Sequence, residues 1–350
     1  MFDSEANTWY NIPEFNLLAK NITVPGFSPL FPDAHCTEDG DICQVVTGEA
    51  EINAASTVSA LVHSSVFDLT TTYWLIAGIA GINPKVSTIG SVTFARYAVQ
   101  VALQYEIDAR EKPADFPTGY IPQGSFTPEQ YPGELYGTEV FELNTALRSL
   151  AVKFAKAAVL DDNKAAQEAR ALYGNDSAFV AATLSPSVVE CDTATSDNFW
   201  IGDLLGEAFE NTTTLFTNGT GVYCTTQQED NATLESLLRG NLAGLIDFSR
   251  IILMRTASDF DRPYSGQTAI AALFEADPGF NSSILNIRLA GVKVIEGIIK
   301  EWNPTFETGI KAGNYIGDIF GSLGGNPILV LVICSVVSQP RQTCLGGKAG

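Results

Sequence analysis

Residues 73–97 read YWLIAGIAGINPKVSTIGSVTFARY, and their interpretation decides the fold. Tyr73-Trp74-Leu75-Ile76 is an apolar, aromatic run of the kind that fits a buried strand. It stops at Ala77-Gly78-Ile79-Ala80-Gly81, where two glycines would let a ligand approach backbone without meeting a Cβ. A second β-type run, Gly90-Ser91-Val92-Thr93-Phe94, follows and is expected to carry Arg96 and Tyr97 outward. Ligands of open α/β sheets sit beyond the carboxyl ends of strands, so a site is expected at this glycine turn. Taken alone, a GxxG is more often a buried strand with a tight turn. The rest of the chain has to decide.

Working outward, Gln44-Val45-Val46 reads as a short strand that enters Thr47-Gly48-Glu49 and then a helix over 50–63. Strand, glycine, helix, strand, glycine turn is a βαβ rhythm, which predicts an α/β fold with a largely parallel sheet. Residues 106–135 are acidic and proline-rich and are expected to form a surface excursion from a single domain spanning 1–350. Amphipathic helices are predicted over 138–160, 164–173 and 233–246, with further helices over 268–275 and 282–302. The run 186–191 reads as a strand ending in the polar loop 192–200, which carries Asn198, Phe199 and Trp200. Ile251-Ile252-Leu253-Met254 reads as a buried strand delivering Arg255 to Asp259. An acid at the end of an apolar strand is partly desolvated, which raises its pKa toward general-acid use.

Apolar residues make up 45% of the 350, enough for a large core, and the net charge is -20. That charge argues against nucleic acid or an anionic membrane as partner, since both need a basic footprint. The six cysteines show no CxxC pair, so zinc is not expected, and Cys36 and Cys43 are placed to close a local disulfide. Asp39 and Asp41 lack the later ligands of a calcium loop, so no metal is expected there. Six N-x-[ST] acceptors, at Asn21, Asn175, Asn211, Asn218, Asn231 and Asn281, point to a secreted, extracellular glycoprotein. Met1-Phe2-Asp3-Ser4-Glu5 carries no apolar leader, as a processed chain would not. The longest apolar run, 328–337, is about half the ~20 residues of a membrane helix and reads as a buried strand or core helix. His63 falls at a helix end and reads as structural, while His35, in a loop, is a weaker candidate for reaching a ligand.

The segments IAGIAGINPKV, GSVTFARYAVQ, QYEIDARE and MRTASDFDRP resemble the fungal purine nucleoside permeases over nearly the whole chain. More loosely, the order of glycine turn, strand-end aromatic, acidic helix start and strand-end Ser-Asp is similar to the nucleoside phosphorylase and nucleosidase fold. The resemblance implies a three-layer α/β/α domain with a mixed central sheet, no cofactor, and a homodimer. It also implies roles for particular residues. Gly78, Ile79 and Ala80 would lie under the ribose, and Phe199 with Asn198 would pack on the base. Glu229 would bind the ribose 2′ and 3′ hydroxyls, although Gln228 stands where the family has a methionine. Asp259, beside Ser258, would protonate the purine N7, and Glu5, at the end of a first strand, would orient a nucleophilic water.

These residue types suit cleavage of an N-glycosidic bond, which builds positive charge on the ribose and negative charge on the leaving purine. The resemblance implies adenosine, inosine or guanosine as substrate. Phosphate-using relatives place a hydroxyl at the central turn and basic groups nearby; here Ile79 occupies that place and Arg96 is the nearby base. Water is therefore the expected nucleophile, making the chain a purine nucleosidase. The alternatives are phosphorolysis and nucleoside binding or transport without turnover.

Overall fold

The structure is a computed structural model that describes residues 2–275 and 277–327. The strands are β1 (Lys20–Thr23), β2 (Asp33–Cys36), β3 (Cys43–Gln44), β4 (Trp74–Ile82), β5 (Val92–Phe94), β6 (Tyr97–Gln100) and β7 (Gln104–Glu106). They continue as β8 (Tyr120–Pro122), β9 (Val140–Glu142), β10 (Val188–Glu190), β11 (Asp192–Thr195), β12 (Tyr223–Gln227), β13 (Ile251–Phe260) and β14 (Gly317–Asp318). The α-helices are α1 (Asp3–Asn7), α2 (Glu51–Val62), α3 (Thr145–Ala155), α4 (Lys164–Ala171), α5 (Asp203–Phe216), α6 (Asp230–Leu242), α7 (Ala269–Phe274) and α8 (Phe280–Lys300).

Nine strands form one mixed sheet in the order β10-β5-β13-β4-β12-β11-β6-β9-β14. Alternate side chains of β13 serve opposite layers, as the two-residue period of a strand requires. Ile252 and Met254 join Leu147 and Ala151 of α3 and Ile287 and Ala290 of α8. Ile251 and Leu253 join Val58 and Val62 of α2 and Leu234 and Leu237 of α6. A strand covered on both faces reads as a continuous apolar run, and 251–254 does. The expected three-layer α/β/α arrangement with a mixed sheet is what the chain builds.

Several local expectations are corrected. The glycines of 77–81 lie inside β4 and form no turn, because β13 pairs with that strand along its length from Trp74 to Ile82. The strand at Cys43 and Gln44 belongs to a separate antiparallel sheet, β1-β2-β3, closed by the Cys36–Cys43 disulfide, so no βαβ unit leads from it into β4. Tyr97 is buried in β6 and does not point outward. The run 138–160 is divided: Val140 to Glu142 pair with β6 as a strand, and the helix starts only after Asn144. Residues 192–195, expected as loop, are a strand held between β6 and β12. A second disulfide, Cys191–Cys224, ties the start of β11 to β12. The region 104–137 consists of turns and the two-stranded sheet β7-β8. The apolar run 328–337, with Cys334 and Cys344, lies outside the described residues. Among the described residues no helix is long and apolar enough to cross a membrane.

Asn144 carries more than its own turn. Its side chain accepts from the N–H groups of Ala146 and Leu147, capping α3, and donates to the carbonyls of Ser249 and Ile310. Replacing it by Ala is expected to cost about 1–2 kcal/mol of stability. Urea unfolding measures this, and a loss below about 0.5 kcal/mol would contradict the assignment.

Candidate active site

The candidate site lies where β12 leaves β4. The two strands pair antiparallel only at Ile82 and Gly81, and β12 ends at Gln227. The backbone of Ile79 therefore faces a notch that side chains fill. The Glu5 carboxylate accepts the Ile79 N–H at 2.6 Å, and the Arg255 guanidinium donates to the Ile79 carbonyl at 3.1 Å. Glu5 comes from α1, a short helix and not the strand end expected, and its other oxygen accepts the Phe2 N–H. A Cβ at Gly78 would sit 2.6 Å from Arg255 Nη1 and 2.8 Å from Glu5 Oε1. The glycine thus admits two charged side chains to the strand, a role the sequence reading assigned to a ligand.

Arg255 comes from the middle of β13, on the face that carries Leu253 and Ile251. Its Nε donates to Asp230 at 3.2 Å, and its Nη2 to Asp230 and to Glu229, the latter at 3.1 Å. Glu229 precedes α6 and Asp230 opens it; the Gln227 side-chain oxygen accepts both their N–H groups at 2.8 Å. Burial is the largest influence on the Glu229 carboxyl and would raise it, but the Arg255 guanidinium, acting with the Ala50 N–H and other neighbouring charge, holds the group below its usual range. Burial raises the Asp230 carboxyl despite the same partner. Burial would lower the Arg255 pKa, yet Asp230 and Glu229 keep it above the ordinary value.

Asp259 approaches from elsewhere. An extra residue bulges β13 between Ala257 and Asp259, so that Asp259 stands opposite Gly81. Its Oδ2 lies 3.4 Å from where a Gly81 Cβ would be, while Arg255 meets the Cβ direction of Gly78. The bulge thus sets Asp259 three residues along β4 from Gly78, where Glu5 and Arg255 meet. Asp259 accepts the Ser258 hydroxyl at 2.6 Å, and Ser258 also donates to the Ala80 carbonyl. Burial raises the Asp259 carboxyl. Asp277, just before α8, is pushed up to about 8 by burial and by the neighbouring Asp259 charge.

The loop 196–202 overhangs this region. Phe199 is 59% exposed, whereas Trp200 is buried and donates to the Tyr223 hydroxyl. Tyr223 in turn donates to Asp261, whose carbonyl accepts the Gly202 N–H. The Asn198 N–H is held by Ser196. Gln228 donates to the Asp197 carbonyl at 2.6 Å, so it ties this loop to α6. The first turn of α2 joins the same surface: Ala50 N–H donates to Glu229 and Glu51 N–H to Asp197. Burial and the Asp197 charge push the Glu51 carboxyl up to about 7.

Arg96 does not belong here. It is bound to Glu142 by Nε and Nη2, at 2.9 and 2.7 Å, beside the N-terminal ends of β6 and β11. The site lies past the other ends of those strands. His35 sits on β2 against Asn21 and Tyr10, in the small sheet. The basic group of the site is Arg255, which sequence reasoning passed over along with Asp230. The available signal was a charge inside the apolar run Ile251-Ile252-Leu253-Met254-Arg255, since a buried arginine requires acidic partners. Among the described residues no grouping of His, Cys, Asp or Glu is suited to a metal ion.

The chain belongs to the purine nucleoside permease family: the profile described as Purine nucleoside permease (NUP) matches residues 1–311. A purine nucleoside permease of Candida albicans is 46% identical over 334 residues, covering 93% of this chain and 80% of that protein. A probable purine nucleoside permease of Schizosaccharomyces pombe is 43% identical over 313 residues, covering 87% and 88%. Among solved structures, a Helicobacter pylori 5′-methylthioadenosine/S-adenosylhomocysteine nucleosidase aligns with a TM-score of 0.49 and 14% identity, over 86% of this chain and 95% of that one. The name permease, shared by these relatives, points away from the secreted protein expected from the glycosylation acceptors. One of those acceptors also fails structurally. Asn231 is 1% exposed inside α6, where its amide donates to the Thr138 carbonyl and its oxygen accepts the Thr195 hydroxyl.

Gly78→Ala is expected to destabilise the chain by roughly 1–3 kcal/mol, because Arg255 and Glu5 must both shift. A thermal melt unchanged from wild type would show that the notch is looser than described. Asp261 gives a pH test. Its buried carboxyl is pushed up to about 7 by burial. A folded pKa above the unfolded one stabilises below about pH 4, and this contribution is lost as pH rises through about 7. Asp261→Asn should therefore flatten the fall in unfolding midpoint between pH 5 and 8; an unchanged slope would remove Asp261 as its cause.

Proposed function

We propose that this member of the purine nucleoside permease family binds purine ribonucleosides and hydrolyses their N-glycosidic bond. The observation that carries the reading is the convergence of Glu5, Glu229 and Arg255 on Gly78 and Ile79, with Asp259 a few residues along the adjacent strand. An anionic Glu229, favoured by Arg255 together with the Ala50 N–H, suits the ribose hydroxyls and the positive charge that develops on the sugar. Asp259, whose pKa burial raises, suits an acid that is protonated before reaction. Phe199, exposed on the overhanging loop, suits stacking on a planar base.

The reaction balances with these groups alone. A water oxygen bonds to C1′ as the C1′–N9 bond breaks, and the bonding pair leaves with the purine. Asp259 gives its proton to N7, and Glu5 takes one from the water. The products are free base and ribose, and acid-base help of this kind contributes about 10²–10⁴-fold. Ile79 offers no hydroxyl to a phosphate nucleophile, which disfavours phosphorolysis.

A second reading, nucleoside binding for transport, is favoured by the names of the relatives. It needs Glu229 and Phe199 but no proton from Asp259. A homodimer is carried forward from the family resemblance and is checked by the mass of the purified chain in solution.

Product analysis with adenosine, inosine and guanosine, with and without phosphate, separates the readings. Hydrolysis gives free base and ribose in phosphate-free buffer, and Asp259→Asn should lower turnover at least about 100-fold. Ribose 1-phosphate formed only with phosphate would make the chain a phosphorylase. Nucleoside binding with no product in either buffer would favour the transport reading.

A further inference from the structure

Arg255 is the group in the notch best suited to hold an anion, and its Nε–Nη2 edge is already committed. A guanidinium presents a planar fork that matches a phosphate as well as a carboxylate. In this chain the fork formed by Nε and Nη2 is filled by the two oxygens of Asp230. Nη2 also meets Glu229, and Nη1 is taken by the Ile79 carbonyl. Asp230 has no exposed surface, so its carboxylate is fixed against Arg255 and does not turn outward. Glu5 adds a third acid beside the same guanidinium, since both approach the Cβ position of Gly78. Three acids thus surround the one guanidinium.

We propose that Asp230 is a specificity-determining residue that occupies the anion-binding fork of Arg255 and so selects neutral water over phosphate as the nucleophile. Its consequence rests on the hydrolytic reading, but its test does not. With Asp230 in place, an incoming phosphate meets an Nε–Nη2 edge that is already filled, and two further carboxylates. With the fork released, a phosphate oxygen can bond to C1′ as the C1′–N9 bond breaks, giving ribose 1-phosphate and free base from the same bound nucleoside.

The test compares the full chain with Asp230→Asn and Asp230→Ala, using inorganic phosphate as the probe. Two readouts are taken: the rise in melting temperature with phosphate, and the products formed from inosine. Wild type is expected to show no phosphate-dependent shift. Asp230→Asn is expected to bind phosphate at least roughly tenfold more tightly than wild type, with competitive inhibition or ribose 1-phosphate as the catalytic sign. Asp230→Ala, which opens the volume of the carboxylate, should bind phosphate as well or better. Asp230→Glu keeps the charge and should remain indifferent. Folded Asn and Ala variants as insensitive to phosphate as wild type would overturn the proposal, as would variants that fold in neither buffer. Wild type that itself binds phosphate would also overturn it. If wild type releases no base while the Asn variant gains phosphate binding, the hydrolytic reading fails and the assignment of Asp230 stands.

Discussion

The interaction on which the rest of the structure depends is the buried ion pair of Arg255 with Asp230 and Glu229. A guanidinium in the middle of a covered sheet is tolerable only when acids and carbonyls surround it, and removing one partner of such a pair costs about 3–5 kcal/mol. That requirement explains several features at once. Gln227 caps the start of α6 so that Glu229 and Asp230 arrive together. Gly78 lacks a side chain so that the guanidinium can reach β4. Glu5 closes the notch from α1 by taking the Ile79 N–H.

The sheet topology sets the geometry of that cluster. Because β12 runs antiparallel to β4 and stops early, unpaired backbone is available at Ile79 in the interior of a strand. Buried backbone groups must find partners, and here they find charged side chains. The same strand pair, β4 and β13, carries Asp259 past a bulge to stand opposite Gly81. Asp259 and the pair Glu5 and Arg255 thus meet β4 three residues apart. The loop 196–202 bridges them, anchored through Trp200, Tyr223 and Asp261.

Much of the fold was legible because apolar periodicity reports burial. The runs at 74–76 and 251–254 are strands, and α2, α4 and α8 lie close to their expected spans. The errors fall where local pattern and tertiary pairing compete. Gly78 and Gly81 carry a turn signal, but a nine-residue strand beside β13 overrides it. The apolar spacing of 138–160 suits a helix throughout, yet Val140 to Glu142 pair with β6, and only Asn144 begins the helix.

By itself the sequence determined the α/β class, the positions of several main elements, and the family, since each is carried by runs of neighbouring residues, while the three-layer mixed sheet was implied by the family resemblance. It also supplied Glu5, Glu229 and Asp259 as candidates, through short motifs resembling those of known proteins. Only the tertiary structure decided which of these meet. It removed Arg96 to Glu142, put Arg255 and Asp230 at the notch, and set Asp259 opposite Gly81. The physical reason is that a residue's partners follow from strand order, direction and bulges. Those bring together positions up to 250 residues apart, as with Glu5 and Arg255, which no local pattern records.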